Sequence, residues 1–132
     1  MQPKVLSVSE VAYWVDDVER AMEWYVNTLG FEVESHDPGH NAFLKSGDFL
    51  LVLFDRRSPN TKLANEYLEE NGAPRGDVYH IAFRVRAEDF ESAFESVSAR
   101  ENGVRGPITF DTGRRSFFLE DLDDHTIEVT DR

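Results

Sequence analysis

The sequence predicts an α+β protein built from two similar halves. The hexapeptide Glu10–Val15 has a counterpart 70 positions later at residues 80–85, and apolar side chains alternate in both as in a β-strand with two different faces. Each hexapeptide is followed by an amphipathic helical stripe, and each stripe by three strand-like runs separated by turn residues. Because an internal repeat constrains the fold strongly, each half is predicted to be strand, helix, strand, strand, strand.

The sequence marks both ends of the first helix. Asp16, followed three positions later by Glu19, predicts a capping box, in which the two side chains satisfy free backbone N–H groups at the helix start. Gly30 is expected to end the helix, since glycine readily adopts the left-handed conformation found after many helices. The apolar stripe between these ends consists of Val18, Ala21, Met22, Tyr25, Val26 and Leu29.

The second half repeats this organisation. Its helical stripe consists of Phe90, Ala93, Phe94 and Val97, and Gly103 is predicted to close the helix. The other strands are predicted over residues 31–36, 41–46 and 49–54, and over 104–110, 114–120 and 125–130.

A segment rich in proline and glycine, 57–77, contains a short helical candidate at 62–71. We therefore expect one domain, 1–132, with module one at 5–56, a linker at 57–77 and module two at 78–132.

Composition restricts the class of function. The 132 residues include no cysteine, which excludes a disulfide framework, a thiolate nucleophile and a cysteine-based zinc site. The net charge of −12 argues against a nucleic-acid partner, because phosphate binding requires clustered cations. The longest apolar run, residues 49–54, is far shorter than the roughly 20 residues of a membrane span. We expect a soluble, cytoplasmic protein that binds neither nucleic acid nor membrane.

Three parts of the sequence carry a family resemblance. They are the two hexapeptides, residues 16–31 ending in Leu-Gly-Phe, and residues 119–129, Leu-Glu-Asp-Leu-Asp-Asp-His-Thr-Ile-Glu-Val. Together they resemble the vicinal oxygen chelate superfamily, which includes glyoxalase I, fosfomycin-resistance transferases, extradiol dioxygenases, methylmalonyl-CoA epimerase and bleomycin-resistance proteins. The resemblance implies two βαβββ modules forming a cupped mixed sheet with helices on the convex side. It also implies a homodimer, with the site formed within one chain or across the dimer.

The resemblance further implies a metal site. The four equivalent ligand positions of the family, two in each module, fall on Glu10, Val52, His80 and Glu128. One imidazole and two carboxylates suit a divalent ion of manganese, iron, nickel, zinc or magnesium, with positions left for water and substrate. Strand alternation agrees, because it places the three ionisable residues opposite the apolar side chains of their strands. The alternatives are solvated carboxylates and a histidine hydrogen-bonded within the sheet.

Three further side chains are candidates for substrate contact. Trp14 and Arg84 share the faces of the candidate ligands, although Arg84 could instead neutralise one of the carboxylates. Phe118 stands where the fosfomycin transferases have the tyrosine that contacts the phosphonate, which argues against fosfomycin as the substrate.

Val52 stands at one of the four ligand positions and cannot bind a metal, which argues against glyoxalase I activity. Glu10 is the candidate catalytic base.

These features predict a glyoxalase-like, metal-dependent enzyme of the lyase, transferase or dioxygenase type. It would act on a small oxygenated metabolite or xenobiotic that chelates the metal through two oxygens. The alternative is a metal-free, bleomycin-resistance-like protein that sequesters a ligand, which the acidic charge and Trp14 support.

The remaining histidines and two arginines are predicted to lie outside the site. His36 and His40 flank a turn and are expected at the surface, and His125 is expected to serve a turn. Arg114 and Arg115 are expected on a solvated hairpin rim.

Overall fold

The computed structural model describes residues 4–72 and 78–132 and divides the chain into two compact units, Met1–Ala73 and Pro74–Arg132. Each unit contains one four-stranded mixed sheet with a helix packed on it. The predicted α+β fold with two βαβββ modules is confirmed. Among the described residues, no helix is both long and apolar enough to cross a membrane.

The first unit contains four strands and two helices. They are β1 (Glu10–Val15), α1 (Val18–Leu29), β2 (Glu32–Asp37), β3 (Asn41–Ser46), β4 (Phe49–Asp55) and α2 (Pro59–Glu70). The strand order is β1-β4-β3-β2, with β1 parallel to β4 and the other neighbours antiparallel. Tyr13 and Val15 of β1 are buried on the side that α1 covers, whereas Glu10 and Trp14 lie on the other side.

The start of α1 differs from the prediction by one residue. Asp17 is the N-cap residue, and its side chain accepts a hydrogen bond from the backbone N–H of Arg20 at 3.2 Å. Asp16 instead forms an ion pair with Arg56 at 2.7 Å. The predicted end is confirmed, because Gly30 adopts a left-handed φ of 75° and donates its N–H back to the helix.

A fully buried carboxylate joins α1 to the end of β4. The side chain of Asp55 accepts hydrogen bonds from the backbone N–H of Val18 at 3.1 Å and from the backbone and guanidinium of Arg57 at 2.8–2.9 Å. These bonds, led by the one from the Arg57 side chain, hold the pKa of Asp55 well below its usual range. The carboxylate therefore remains charged although it is buried.

The second unit repeats the strand order of the first. Its elements are β5 (Ile81–Arg84), a 3-10 turn (Ala87–Asp89), α3 (Phe90–Arg100), β6 (Arg105–Thr109), β7 (Arg115–Glu120) and β8 (Thr126–Thr130). The order is β5-β8-β7-β6, with β5 parallel to β8. The rings of Phe90 and Phe94 on α3 pack against Phe117 of β7, with centroids 5.7 and 5.3 Å away.

Two predicted boundaries are wrong. Helix α3 ends at Arg100, with the extended residue Glu101 as its C-cap, so Gly103 does not close the helix. Gly103 lies beyond it with φ 78°, ahead of β6. The helical candidate of the expected linker begins three residues early, because Pro59 at the first helical position starts α2.

Candidate functional site

His80 and Glu128 meet on the far face of the second sheet, which we define as the face away from α3. Nε2 of His80 lies 3.4 Å from Oε2 of Glu128. Ala82 of β5 is the parallel neighbour of Glu128 in β8, and His80 precedes Ala82 by two positions, so both side chains lie on one face. The Glu128 side chain is only 5% exposed and that of His80 is 29% exposed. The carboxylate is therefore embedded, while the imidazole reaches solvent.

Arg114 lies on the same carboxylate. Its Nη2 donates to Oε2 of Glu128 at 3.0 Å, and its Nε donates to Oγ1 of Thr130 at 2.8 Å. The Thr130 hydroxyl in turn donates to the backbone carbonyl of Arg115 at 3.1 Å. The expectation of a solvated Arg114 is therefore wrong. Because side chains alternate along a strand, Arg114, Ser116 and Phe118 share one face. Counting positions from Phe118 could therefore have placed Arg114 on this face.

Arg115 also differs from the expectation of a solvated rim residue. Its guanidinium binds the Asp131 carboxylate at 2.9 Å and the carbonyl of Ala87 at 2.9 Å, and it lies 4.6 Å from the ring centroid of Phe90. Its backbone and side-chain hydrogen bonds lower the pKa of Asp131. Arg115 is therefore a structural cation that ties β7 to the end of the chain and to the start of α3.

Two aromatic rings lie next to the imidazole of His80. Phe118 is the cross-strand neighbour of Glu128, and its ring lies perpendicular to that of His80 with centroids 6.4 Å apart. Tyr79, which the sequence did not single out, contacts His80 with ring centroids 4.5 Å apart. The sequence-predicted residue Phe118 thus lies beside both candidate ligands of this unit.

The buried hydroxyl of Ser116 is also on this face. Ser116 is the cross-strand neighbour of Thr130 and is fully buried. Its Oγ has no hydrogen-bond partner within residues 4–72 and 78–132. A hydroxyl of this kind has a strong tendency to bind a further oxygen.

The spacing of His80 and Glu128 fits two ligands of one metal ion. Two donor atoms about 2.1 Å from a tetrahedral ion are about 3.4 Å apart, which is the observed separation. Across the described part of the chain, however, histidine, aspartate and glutamate side chains form no group of three or more that could hold a metal. The pair therefore supplies two donors, and the Arg114 guanidinium places a competing positive charge on one of them.

Arg84 ends β5 on the same face, next to Thr130. It is exposed and forms no ion pair among the residues that the structure describes. The cation on the Glu128 carboxylate is Arg114, so Arg84 does not serve as its counter-ion. This leaves the Arg84 guanidinium available to an anionic group in solution.

Glu10 and Trp14 belong to the first unit and are described within it. Both lie on the far face of the first sheet, the face away from α1, at the start and near the end of β1. Trp14 is 39% exposed, and the Arg56 guanidinium lies 5.9 Å from its ring centroid. Phe43 and Phe54 share this face and pack edge to face with centroids 6.5 Å apart. The face thus combines aromatic rings with carboxylates, since the strand register also places Asp37 on it.

Three other histidines have partners in the structure. His36 Nε2 lies 2.7 Å from Oε2 of Glu19, and His40 Nδ1 lies 2.7 Å from Oγ of Ser58. His125 Nδ1 lies 2.7 Å from Oδ2 of Asp121, whose Oδ1 also accepts the backbone N–H of His125. His125 therefore serves a turn, as predicted. His36 lies in β2 and is tied to α1, so it is not a loop residue.

Comparison with known proteins places these observations in context. The family model described as "Glyoxalase/Bleomycin resistance protein/Dioxygenase superfamily" matches residues 7–129. A metallothiol transferase FosB of Staphylococcus haemolyticus is 21% identical over 126 residues, covering 95% of this chain and 83% of the relative.

Solved structures show the same architecture. The lactoylglutathione lyase of Agrobacterium tumefaciens has a TM-score of 0.74 at 23% identity, covering 96% of this chain and 94% of that one. The genomically encoded fosfomycin resistance protein FosX of Listeria monocytogenes has a TM-score of 0.70 at 16% identity, covering 96% and 93%. At these identities the structural likeness establishes the fold and leaves the reaction open.

Proposed function

The chain belongs to the glyoxalase/bleomycin resistance protein/dioxygenase superfamily, and on that basis we propose that it is a metal-dependent enzyme acting on a small oxygenated molecule. The observation that supports the proposal is the approach of His80 Nε2 and Glu128 Oε2 to 3.4 Å on the far face of the second sheet. This separation matches that of two donor atoms bound to one tetrahedral ion.

In this proposal His80 and Glu128 hold the ion, and Glu10 is the third ligand or the general base, as the resemblance assigns it. When bound, a divalent ion of manganese, iron, nickel, zinc or magnesium would act as a Lewis acid on two adjacent oxygens of the substrate. Glu10 would accept the proton that the substrate loses.

Other candidate side chains would bind and orient the substrate. Phe118 would contact the substrate beside the His80 imidazole. Arg84 would meet an anionic group, and Trp14 an aromatic or cationic one.

The proposed reaction type is one of those found in the family. A metallothiol transferase and a lactoylglutathione lyase are among the similar proteins, and we propose a lyase, transferase or dioxygenase reaction for this chain. The resemblance to the family implies a homodimer, and we propose a homodimer here.

Metal binding tests the proposal directly. Protein purified without chelators is titrated with each of the five divalent ions by calorimetry, and the melting temperature is followed in parallel. His80→Ala should bind the ion at least about tenfold more weakly than the wild type. His36→Ala is the matched control, because His36 also lies beside a carboxylate, and it should bind like the wild type. Equal binding by wild type and His80→Ala would remove this proposal.

The second candidate function is metal-free sequestration of a cationic ligand. It is supported by the aromatic far face of the first sheet, by the net charge of −12 and by the Arg114 guanidinium that already neutralises Glu128. A rise in melting temperature with a bleomycin-like cationic glycopeptide, and none with any of the five ions, would favour this function.

A further inference from the structure

One oxygen of Glu128 has two competing neighbours. Oε2 lies 3.4 Å from Nε2 of His80 and accepts a hydrogen bond from Nη2 of Arg114 at 3.0 Å. The oxygen best placed to share an ion with His80 is therefore also the one that binds a guanidinium.

We propose that Arg114 is the internal counter-ion of Glu128 and that it competes with a divalent cation for this carboxylate. Arg114 would then be a positioning residue that sets the metal affinity of the site through its charge. The proposal rests on the proposed function, since it presupposes that His80 and Glu128 bind a metal.

The surroundings of Arg114 suit such a competitor. Its Nε is anchored to the Thr130 hydroxyl at 2.8 Å, and that hydroxyl is fixed by the carbonyl of Arg115. The Arg114 side chain is nevertheless 37% exposed, so Nη2 can turn toward solvent when a cation arrives. The Glu128 side chain, at 5% exposure, cannot turn toward solvent, and leaving its carboxylate without a positive partner is costly.

The sign of the effect follows from Coulomb's law. A guanidinium within hydrogen-bond distance of a metal-binding oxygen repels a doubly charged ion placed on the same oxygen. Removing the charge but keeping a hydrogen-bond donor should therefore strengthen metal binding. A residue that merely oriented Glu128 would show the opposite sign, because the loss of an orienting partner typically weakens metal binding about 10–100-fold.

The experiment is a calorimetric titration of four proteins with Zn²⁺ and with Mn²⁺ alone. Arg114→Gln should bind the ion at least about tenfold more tightly than the wild type, and Arg114→Lys, which keeps the charge, should bind within about threefold of it. Arg105→Gln is the control for net charge, because Arg105 pairs with Glu120 in the same unit. It should match the wild type.

The failures of the two proposals are distinguishable. If the wild type binds an ion and Arg114→Gln binds it equally or more weakly, the counter-ion role is wrong and the proposed metal site stands. If neither the wild type nor any variant binds an ion, the metal site itself is wrong.

A second variant guards against misfolding of Arg114→Gln. Thr130→Val removes the acceptor of the Arg114 Nε without changing any charge and nearly preserves the side-chain volume. It should loosen Arg114 and tighten ion binding by about two- to fivefold, in the same direction as Arg114→Gln. Weaker binding by Thr130→Val would overturn the counter-ion role.

Discussion

His80 and Glu128 stand 48 positions apart in the sequence, and their side chains meet because β5 and β8 are parallel neighbours. The pairing of Ile81 with Ile127 fixes the register of the two strands. A shift of one residue would move Glu128 to the face that α3 covers. The candidate site therefore depends on strand register as much as on the identity of its side chains.

Helix capping in the first unit can be tested with two neighbouring aspartates. Asp17→Ala should lower the free energy of unfolding by about 1 kcal/mol, because the N-cap hydrogen bond to the Arg20 N–H is lost. Asp16→Ala should cost less than about 0.5 kcal/mol, since the ion pair of Asp16 with Arg56 is exposed to solvent. Urea unfolding measures both. A larger cost for Asp16→Ala would contradict the capping assignment.

The buried carboxylate of Asp55 should make stability depend on pH. Because hydrogen bonds from Arg57 and Val18 lower its pKa in the folded state, it stabilises the fold above the ordinary aspartate pKa of about 4. That contribution is lost as the pH falls below about 4, since the unfolded chain takes up the proton more readily.

Asp55→Asn should therefore be less stable at pH 6 by about 2 kcal/mol, and its unfolding free energy should fall less steeply between about pH 4 and pH 2. Urea unfolding at a series of pH values measures both quantities. Asp131→Asn is a comparison variant, because the pKa of Asp131 is also lowered but the residue lies in the second unit. Parallel curves for wild type and Asp55→Asn would contradict the assignment.

Two adjacent phenylalanines of β7 should behave differently. Phe117 is fully buried against Phe90 and Phe94, and Phe117→Ala should cost about 3–5 kcal/mol. Phe118 is partly exposed beside His80, and Phe118→Ala should cost about 1–2 kcal/mol less than Phe117→Ala. Chemical unfolding gives the ranking, and equal costs would show that the two faces of β7 are misassigned.

The role proposed for Glu10 can be tested by metal titration. Glu10→Gln removes the charge and should weaken ion binding by at least about tenfold if Glu10 is the third ligand. Glu32→Gln is the control for net charge, because Glu32 is an exposed glutamate at the start of β2. Binding equal to that of the control would remove Glu10 from the ligand set.

Trp14 offers a spectroscopic test of ligand binding to the first sheet. A cationic or aromatic ligand on the far face should change the fluorescence of Trp14, which is 39% exposed, and leave that of the buried Trp24 largely unchanged. Trp14→Phe should therefore lose the response to a bleomycin-like glycopeptide. A response that persists in Trp14→Phe would place the ligand elsewhere.

The strands could be predicted closely from the sequence because side-chain alternation is a local property. The predicted strands at residues 10–15 and 41–46 have the observed bounds, and Tyr13 and Val15 are buried as their positions indicate. The helix ends were harder to predict. Asp16 and Asp17 have the same chemistry, and the choice between them depends on where β1 ends.

The site could be predicted only in part, because some of its contacts depend on the alignment of separate strands. His80, Glu128 and Phe118 could be placed on one face by counting positions along their strands. The contact of Arg114 with Glu128 could not, since it depends on how β7 is aligned beside β8 and on the direction of a long side chain. Alternation along the strand gives the face of Arg114 but not its partner, and hairpin arginines are usually solvated.

The shortness of β5 has a consequence for how the site opens. β5 has four residues, stands at one end of its sheet, and pairs with a strand more than 40 positions later in the chain. Segments of this kind unfold locally before the rest of a protein does. His80 adjoins β5, so local fraying of this strand would separate the imidazole from Glu128 while Phe117 and the α3 core stay folded. Ligand exchange would then be governed by the opening rate of one short strand, and the amide protons of β5 would exchange with solvent sooner than those of β7.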